Sequence, residues 1–206
     1  MSWKKTLNKI VQSPKLHGRF LNTISLLEYI GARKIIKSQR EEEISRETLA
    51  HMSEEIRHAQ IFKKLALKVD SRLTTYDDQH LLAGGTARTY LQTIDRGVEA
   101  LLGNGCARSN YWVSTLIIEE RANSIYPYYA ELLEPFGYAG PIRGILREEE
   151  SHLEQIEAVI DKDNVLSTNQ LKALRRIEKE SFTGLIGAMD NAALRLDSFS
   201  SSAHII

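Results

Sequence analysis

The sequence predicts an all-α fold: an antiparallel four-helix bundle with extra helices in the central crossover and at the C-terminus. Three observations predict it. Apolar residues recur at three- and four-residue spacing over long stretches, the period of one helix face. Glycine and proline, 12 and 4 of 206 residues, are scarce within those stretches. No segment shows the strict apolar–polar alternation of a half-buried strand.

The elements follow in order. A first long helix is expected over 14–39, with Ser13-Pro14 as a cap and first-turn proline and with Leu21, Ile24, Gly31 and Ile35 on one face. A second is expected over 45–69, with Met52, Ala59, Phe62 and Ala66 on one face. The charged run Arg40-Glu41-Glu42-Glu43 between them reads as a short turn, and a short connection joins antiparallel neighbours. Residues 70–89 read as an irregular connection, with Asp77-Asp78 and Gly84-Gly85 as turn signals. A shorter helix is expected over 90–102, closed by Gly103-Asn104-Gly105. A third long helix spans 107–133, where Pro127 should kink it. A fourth runs over 140–161, and a fifth over 168–196, started by Ser167 or Thr168. The serine-rich end, 198–206, reads as a mobile tail. The whole, 1–206, is expected to be one domain with its bundle core over 14–162.

Composition narrows the function classes. Apolar residues make up 42% and charged residues 26%, an ordinary globular mixture. The 27 basic and 27 acidic side chains cancel, so net charge gives no drive towards nucleic acid or an anionic membrane. No apolar run is long enough for a membrane span, and the leading segment MSWKKTLNKIVQS lacks the apolar core of a secretory signal. Cys106 is the single cysteine, which excludes an intrachain disulfide and a four-cysteine metal centre. The expected compartment is the cytoplasm.

The informative residues are acids and histidines that interrupt apolar faces. Glu28 shares its face with Leu21, Ile24, Gly31 and Ile35, where an unpaired charge would be costly. On the second helix Glu55 and His58 lie three apart and so on one face. On the fourth, Glu149 and His152 repeat that spacing. The third helix offers Glu119 and Glu120, about 100° apart around the axis. Glu119 lies among Trp112, Leu116, Tyr126, Ala130 and Leu133, the more apolar side, and is the better placed, with Glu120 as the alternative. With 19 glutamates and six histidines, chance placement gives about half a Glu-x-x-His match. Two matches in the order Glu, Glu-x-x-His, Glu, Glu-x-x-His, one element per long helix, carry more weight. Four carboxylates and two neutral imidazoles balance two divalent cations. Oxygen and imidazole donors without thiolate suit iron or manganese.

With these residues in place the chain resembles the ferritin-like superfamily of di-iron carboxylate proteins. The resemblance rests on Glu28 in LLEYIGAR, Glu55 and His58 in SEEIRHA, Glu119 in IIEERAN, and Glu149 and His152 in EEESHLE. It implies two iron ions, with manganese or a mixed pair as alternatives. Glu55 and Glu149 would bridge them, while Glu28, His58, Glu119 and His152 would be terminal ligands. Tyr126 matches a tyrosine often found two turns beyond the terminal acid in that superfamily. IIEERAN is also similar to a segment of tRNA-modifying di-iron hydroxylases. The long 70–106 connection speaks against a ferritin storage shell, and a rubrerythrin's cysteine-rich domain is missing.

The implied function is that of an O2-dependent oxidase or hydroxylase with an unidentified substrate and an external electron donor, as a monomer or homodimer. The alternatives are iron oxidation, storage or peroxide scavenging, a tRNA-modifying hydroxylase, and a non-catalytic helical interaction protein. The remaining residues get plainer expectations. Arg33, Lys34, Lys37 and Arg40 read as a solvated face. Trp112, Tyr128 and Tyr129 read as core or interface, Cys106 as packing and His51 as a surface histidine, with a supporting place beside the ligands, one turn before Glu55, as the alternative. Asn123, one turn after Glu119, is a candidate hydrogen-bond donor. His17, His80 and His204 get no role.

Overall fold

The computed structural model describes residues 2–39, 44–103 and 107–202, the side chains of 197–202 excepted. Among them are seven α-helices: α1 (Trp3–Gln12), α2 (Pro14–Ser38), α3 (Arg46–Val69), α4 (Gly84–Leu102), α5 (Ala107–Leu133), α6 (Ala139–Lys162) and α7 (Thr168–Ser202). Two 3₁₀ turns, Asp78–His80 and Glu134–Phe136, complete the ordered elements, and no strand occurs among the described residues. Among the described residues no helix is long and apolar enough to cross a membrane.

Helix starts follow local chemistry. Ser45 caps α3 by accepting from the Thr48 amide at 3.1 Å. Ser167 and Gln170 form a reciprocal cap at the start of α7. The Ser167 amide donates to Gln170 Oε1 at 2.9 Å, and the Gln170 amide donates to Ser167 Oγ at 3.3 Å. Pro14 opens α2, but the Ser13 side chain makes no capping bond. α5 runs unbroken through Pro127.

Two hairpins form the frame of the candidate site. α2 and α3 are antiparallel: a Cβ placed on Gly18 would touch Val69, and Ser25 Oγ donates to the Ala59 carbonyl at 2.6 Å. One placed on Gly31 would collide with the Glu55 carboxylate, so the absence of a side chain there lets Glu55 fill the space between the two helices. α5 and α6 form the second hairpin, closed by Glu134–Phe136 with Gly137 at φ 72°. The hairpins share one apolar core that includes Leu21, Phe62, Leu116, Tyr129, Ile145 and Ile156.

Three elements differ from expectation. α1 was not foreseen, although Leu7, Ile10 and Val11 carry helical spacing and are buried against the core. α4 starts at Gly84 rather than Tyr90, after Ala83 turns the chain in the left-handed region at φ 56°. Glycine fits at Gly84 because a Cβ there would meet Leu81 Cδ1 at 2.5 Å. The connection ahead of α4 is irregular, yet tied down. Buried Asn22 donates to the Thr75 and His80 carbonyls, both at 2.9 Å, and the Leu82 amide donates to Thr23 Oγ1 at 2.8 Å. Finally, α7 continues to Ser202 instead of yielding to a tail near 198. It packs along α4 and sends Leu174, Phe182, Leu185 and Met189 into the core, so the core reaches beyond 14–162. The expected turn at Arg40-Glu41-Glu42-Glu43, the stop at Asn104-Gly105, Cys106 and His204 lie outside the described residues.

Candidate metal centre

All six residues singled out in the sequence converge between the two hairpins. Glu28 comes from α2, Glu55 and His58 from α3, Glu119 from α5, and Glu149 and His152 from α6. Three groups of potential ligand atoms lie within 4.8 Å of one another: Glu28–His58–Glu149, Glu55–Glu119–Glu149 and His51–Glu119–His152. Glu119 is the buried acid of its pair. Glu120 points away and accepts from Arg175 Nε of α7 at 2.9 and 3.1 Å.

The two Glu-x-x-His segments hold each other's histidines. His58 Nε2 donates to Glu148 Oε2 at 2.7 Å, and Arg57 grips the same carboxylate at 2.8 and 3.1 Å. His152 Nε2 donates to Glu54 Oε2 at 2.6 Å. Each outer glutamate directly precedes the inner one of its own segment and crosses to the opposite helix. The consequence is a fixed orientation: Nε2 of each ring is committed to its outer glutamate, and Nδ1 is left as the nitrogen that faces inward. His58 Nδ1 stands 3.0 Å from Glu149 Oε1 and 3.8 Å from Glu28 Oε2, and His152 Nδ1 stands 3.3 Å from Glu149 Oε2. Tyr126, buried, donates to Glu28 Oε1 at 2.7 Å. Asn123 reaches only the Glu149 carbonyl, at 3.5 Å.

Four acids in one dry space cannot all stay ionised without a counter-charge. Burial, aided by the Glu55 and Glu149 charges, raises Glu28 to about 7 against the pull of His58. Burial and the charges of Glu149 and Glu55 push Glu119 well above the usual carboxylate range. Burial works against Glu149 as well, but Glu119, His152 and His58 hold it ionised and below that range. Burial disfavours a charged His58, yet the Glu149 and Glu28 carboxylates outweigh it and raise the ring to about 11. Protons thus stand in for missing positive charge. His58 Nδ1 and His51 Nε2 are nevertheless buried without a hydrogen-bond partner. Donor type, net charge and the inward-facing ring nitrogens all suit a pair of divalent cations, which would displace the protons.

Three participants escaped the sequence reading. His51 is 5% exposed, not a surface residue, and lies beside Glu55 and Glu119. Its signal was its position four before Glu55 and seven before His58, on their face. Glu54 and Glu148 directly precede the inner acids in sequence, and their cross-helix reach leaves no trace in one helix's periodicity. The bland expectations fare unevenly. Tyr129 is wholly buried and pairs its hydroxyl with His17 Nε2 at 2.8 Å, so His17 is a core residue. Trp112 and Tyr128 are half-buried against the core. His80 Nδ1 pairs with Thr75 Oγ1 at 2.7 Å. Of the basic run, Lys34 pairs with Asp95 at 2.6 Å and Arg33 lies over the Tyr29 ring.

The acids open onto a cavity of about 170 Å³. Glu28, Glu55, Glu119 and Glu149 reach it from one side, and Phe20, Ile24, Leu91, Ile118, Phe182 and Met189 form apolar wall. A second, polar pocket lies between α3 and α6 over His51 and His152.

Comparison with known proteins finds no family model, no curated protein and no solved structure that matches the chain.

Proposed function

We propose that the chain is a ferritin-like di-metal carboxylate protein, with iron as the metal, that uses O2 to oxidise an apolar substrate. The observation that carries this reading is the apolar cavity bordered by the four acids. A centre for storing or detoxifying iron needs a wet route for ions and has no use for an apolar chamber. An oxygenase needs a dry space that holds a hydrocarbon group against the metals. A cavity of roughly 150 Å³ lined by apolar side chains takes up benzene, so one aromatic ring or a short alkyl group fits here.

The division of labour follows from the contacts. Glu28, Glu55, His58, Glu119, Glu149 and His152 would hold the metals, with Glu55 and Glu149 in the middle and the others at the ends. The bound iron pair would supply the reduction of O2. Glu54 and Glu148 keep Nδ1 of each imidazole aimed inward. Tyr126 steadies Glu28. The apolar walls exclude water and position the substrate. In a hydroxylation one oxygen atom enters a C–H bond and the other leaves as water, with two protons and two electrons from an external reductant. One cysteine cannot build a second, thiolate-bound iron centre in the chain to store those electrons.

The test begins with anaerobic Fe(II) loading. The wild-type chain should take up two ions and then consume O2 faster in the presence of a small aromatic or alkyl compound. Glu149→Ala should hold neither ion. Met189→Trp, which fills the cavity, should keep both ions and lose the substrate-dependent rate. Accumulation of iron well beyond two per chain, with no substrate effect, would turn the assignment to storage.

A further inference from the structure

His51 has a geometry that the six-residue set does not explain. Its Nδ1 is 2.6 Å from the Tyr111 hydroxyl, a buried contact between α3 and α5. Its Nε2 is buried with no hydrogen-bond partner, 3.3 Å from Glu55 Oε1 and 3.6 Å from Glu119 Oε1. Its ring centroid is 4.2 Å from that of His152, with the rings tilted by 41° rather than stacked flat.

Two explanations compete for these separations. A charged imidazole bridging two carboxylates makes short bonds, about 2.7–2.9 Å, and neither distance is that short. Ligands about 2.0–2.2 Å from one cation lie about 3.0–3.6 Å from each other in octahedral or tetrahedral geometry. The distances from His51 to its two acids fall there. Orientation agrees. If Nδ1–H donates to the Tyr111 oxygen, Nε2 keeps its lone pair, the requirement for a metal-bound imidazole. The Tyr111 hydroxyl is a phenol oxygen able to accept that bond.

We infer that His51 is a third imidazole ligand, binding through Nε2 the same divalent cation as Glu119 and His152. The inference rests on the di-metal reading and deepens it, because it makes the two positions unlike. One end holds Glu119 with two imidazoles, and the other holds Glu28 with His58, with the middle acids between them. Imidazole favours iron and the later first-row metals over manganese or magnesium. The His51 end therefore binds its ion more tightly and more selectively, and the Glu28 end is the position that exchanges.

The test needs no turnover. X-ray absorption on the Fe(II)-loaded wild-type protein should count three imidazoles per metal pair, and His51→Gln should count two. In a titration against a competing chelator, His51→Gln should weaken the tighter of the two sites at least 10-fold, the order of effect seen even for outer partners of metal ligands, and leave the weaker site unchanged. Tyr111→Phe keeps the ring but removes its orienting contact, and should weaken the same site by a smaller factor. It serves also if His51→Gln does not fold. Two metals with only two imidazoles in the wild-type protein would overturn the His51 assignment and leave the six-residue site standing. So would a tighter site that neither variant affects. A wild-type protein that binds no metal would overturn both.

Discussion

Two buried charged clusters lie within one core, and they solve the same problem in opposite ways. Between α4, α5 and α7, Glu178 is 4% exposed. Arg121 clamps it with Nε at 2.7 Å and Nη2 at 2.5 Å, and Tyr90 donates to it at 2.9 Å. Every charge there has an opposite charge from the chain itself. Between α2, α3, α5 and α6 the balance is not met. Four acids face two inward histidine nitrogens, carboxyl groups retain protons, and two ring nitrogens stay unpartnered. A self-compensated cluster has a structural role. One that is compensated only by protons is what the proposed pair of cations would require.

The first way to break this comparison is to unpair the compensated cluster. Arg121→Met should destabilise the protein by about 3–5 kcal/mol, because it strands a buried carboxylate. Adding Glu178→Leu should recover most of that loss. Denaturant melts measure both, and metal content should stay at two ions per chain throughout.

The second acts on the uncompensated cluster, and its sign is reversed. Glu28 is an acid raised to about 7 in the folded chain. Its contribution favours the metal-free fold at low pH and is lost as pH rises from the ordinary carboxylate range through 7. At pH 8 Glu28→Gln should stabilise the metal-free protein by about 2–3 kcal/mol, while weakening metal binding. Loading the wild-type protein with Fe(II) near pH 7 should release protons, which an indicator dye in weak buffer would record. A Glu28→Gln variant that destabilised the metal-free protein would remove the contrast between the clusters.

The third and smallest effect uses a buried histidine remote from both. Burial lowers His17 to about 4. Its neutral form supports the fold fully above the ordinary histidine value, and that support is lost as pH falls towards 4. At pH 5 the loss should be about 2 kcal/mol, and His17→Gln should flatten that part of the stability–pH curve without changing metal uptake.

What was legible in the sequence was whatever one helix records by itself. The frame helices α2, α3, α5 and α6 end within about two residues of their expected bounds, since long periodic faces flanked by proline, glycine and charged-turn signals define them. The inward acids showed as charges on apolar faces, and that criterion separated Glu119 from Glu120. The same criterion applies to Glu178, set among Leu174, Phe182 and Leu185. Its partner Arg121 is on another helix, so the sequence could not tell a paired acid from an unpaired one. Glu54, Glu148 and Tyr111 were invisible for the same reason: their roles exist only across helices. α1 was overlooked because it is only ten residues long and has no continuous apolar run, although Leu7, Ile10 and Val11 form a clear apolar face with Lys5 and Lys9 opposite, and Gly84-Gly85 read as a turn because glycine is better known for ending helices than for opening them.

Anomalous diffraction from crystals grown with Fe(II) under anaerobic conditions tests the central claim most directly. Two peaks at the iron edge should appear between α2, α3, α5 and α6, each about 2.0–2.3 Å from carboxylate oxygens and histidine nitrogens of the cluster. A density map with no anomalous signal among Glu28, Glu55, His58, Glu119, Glu149 and His152, in a protein whose helices are otherwise as described, would contradict it.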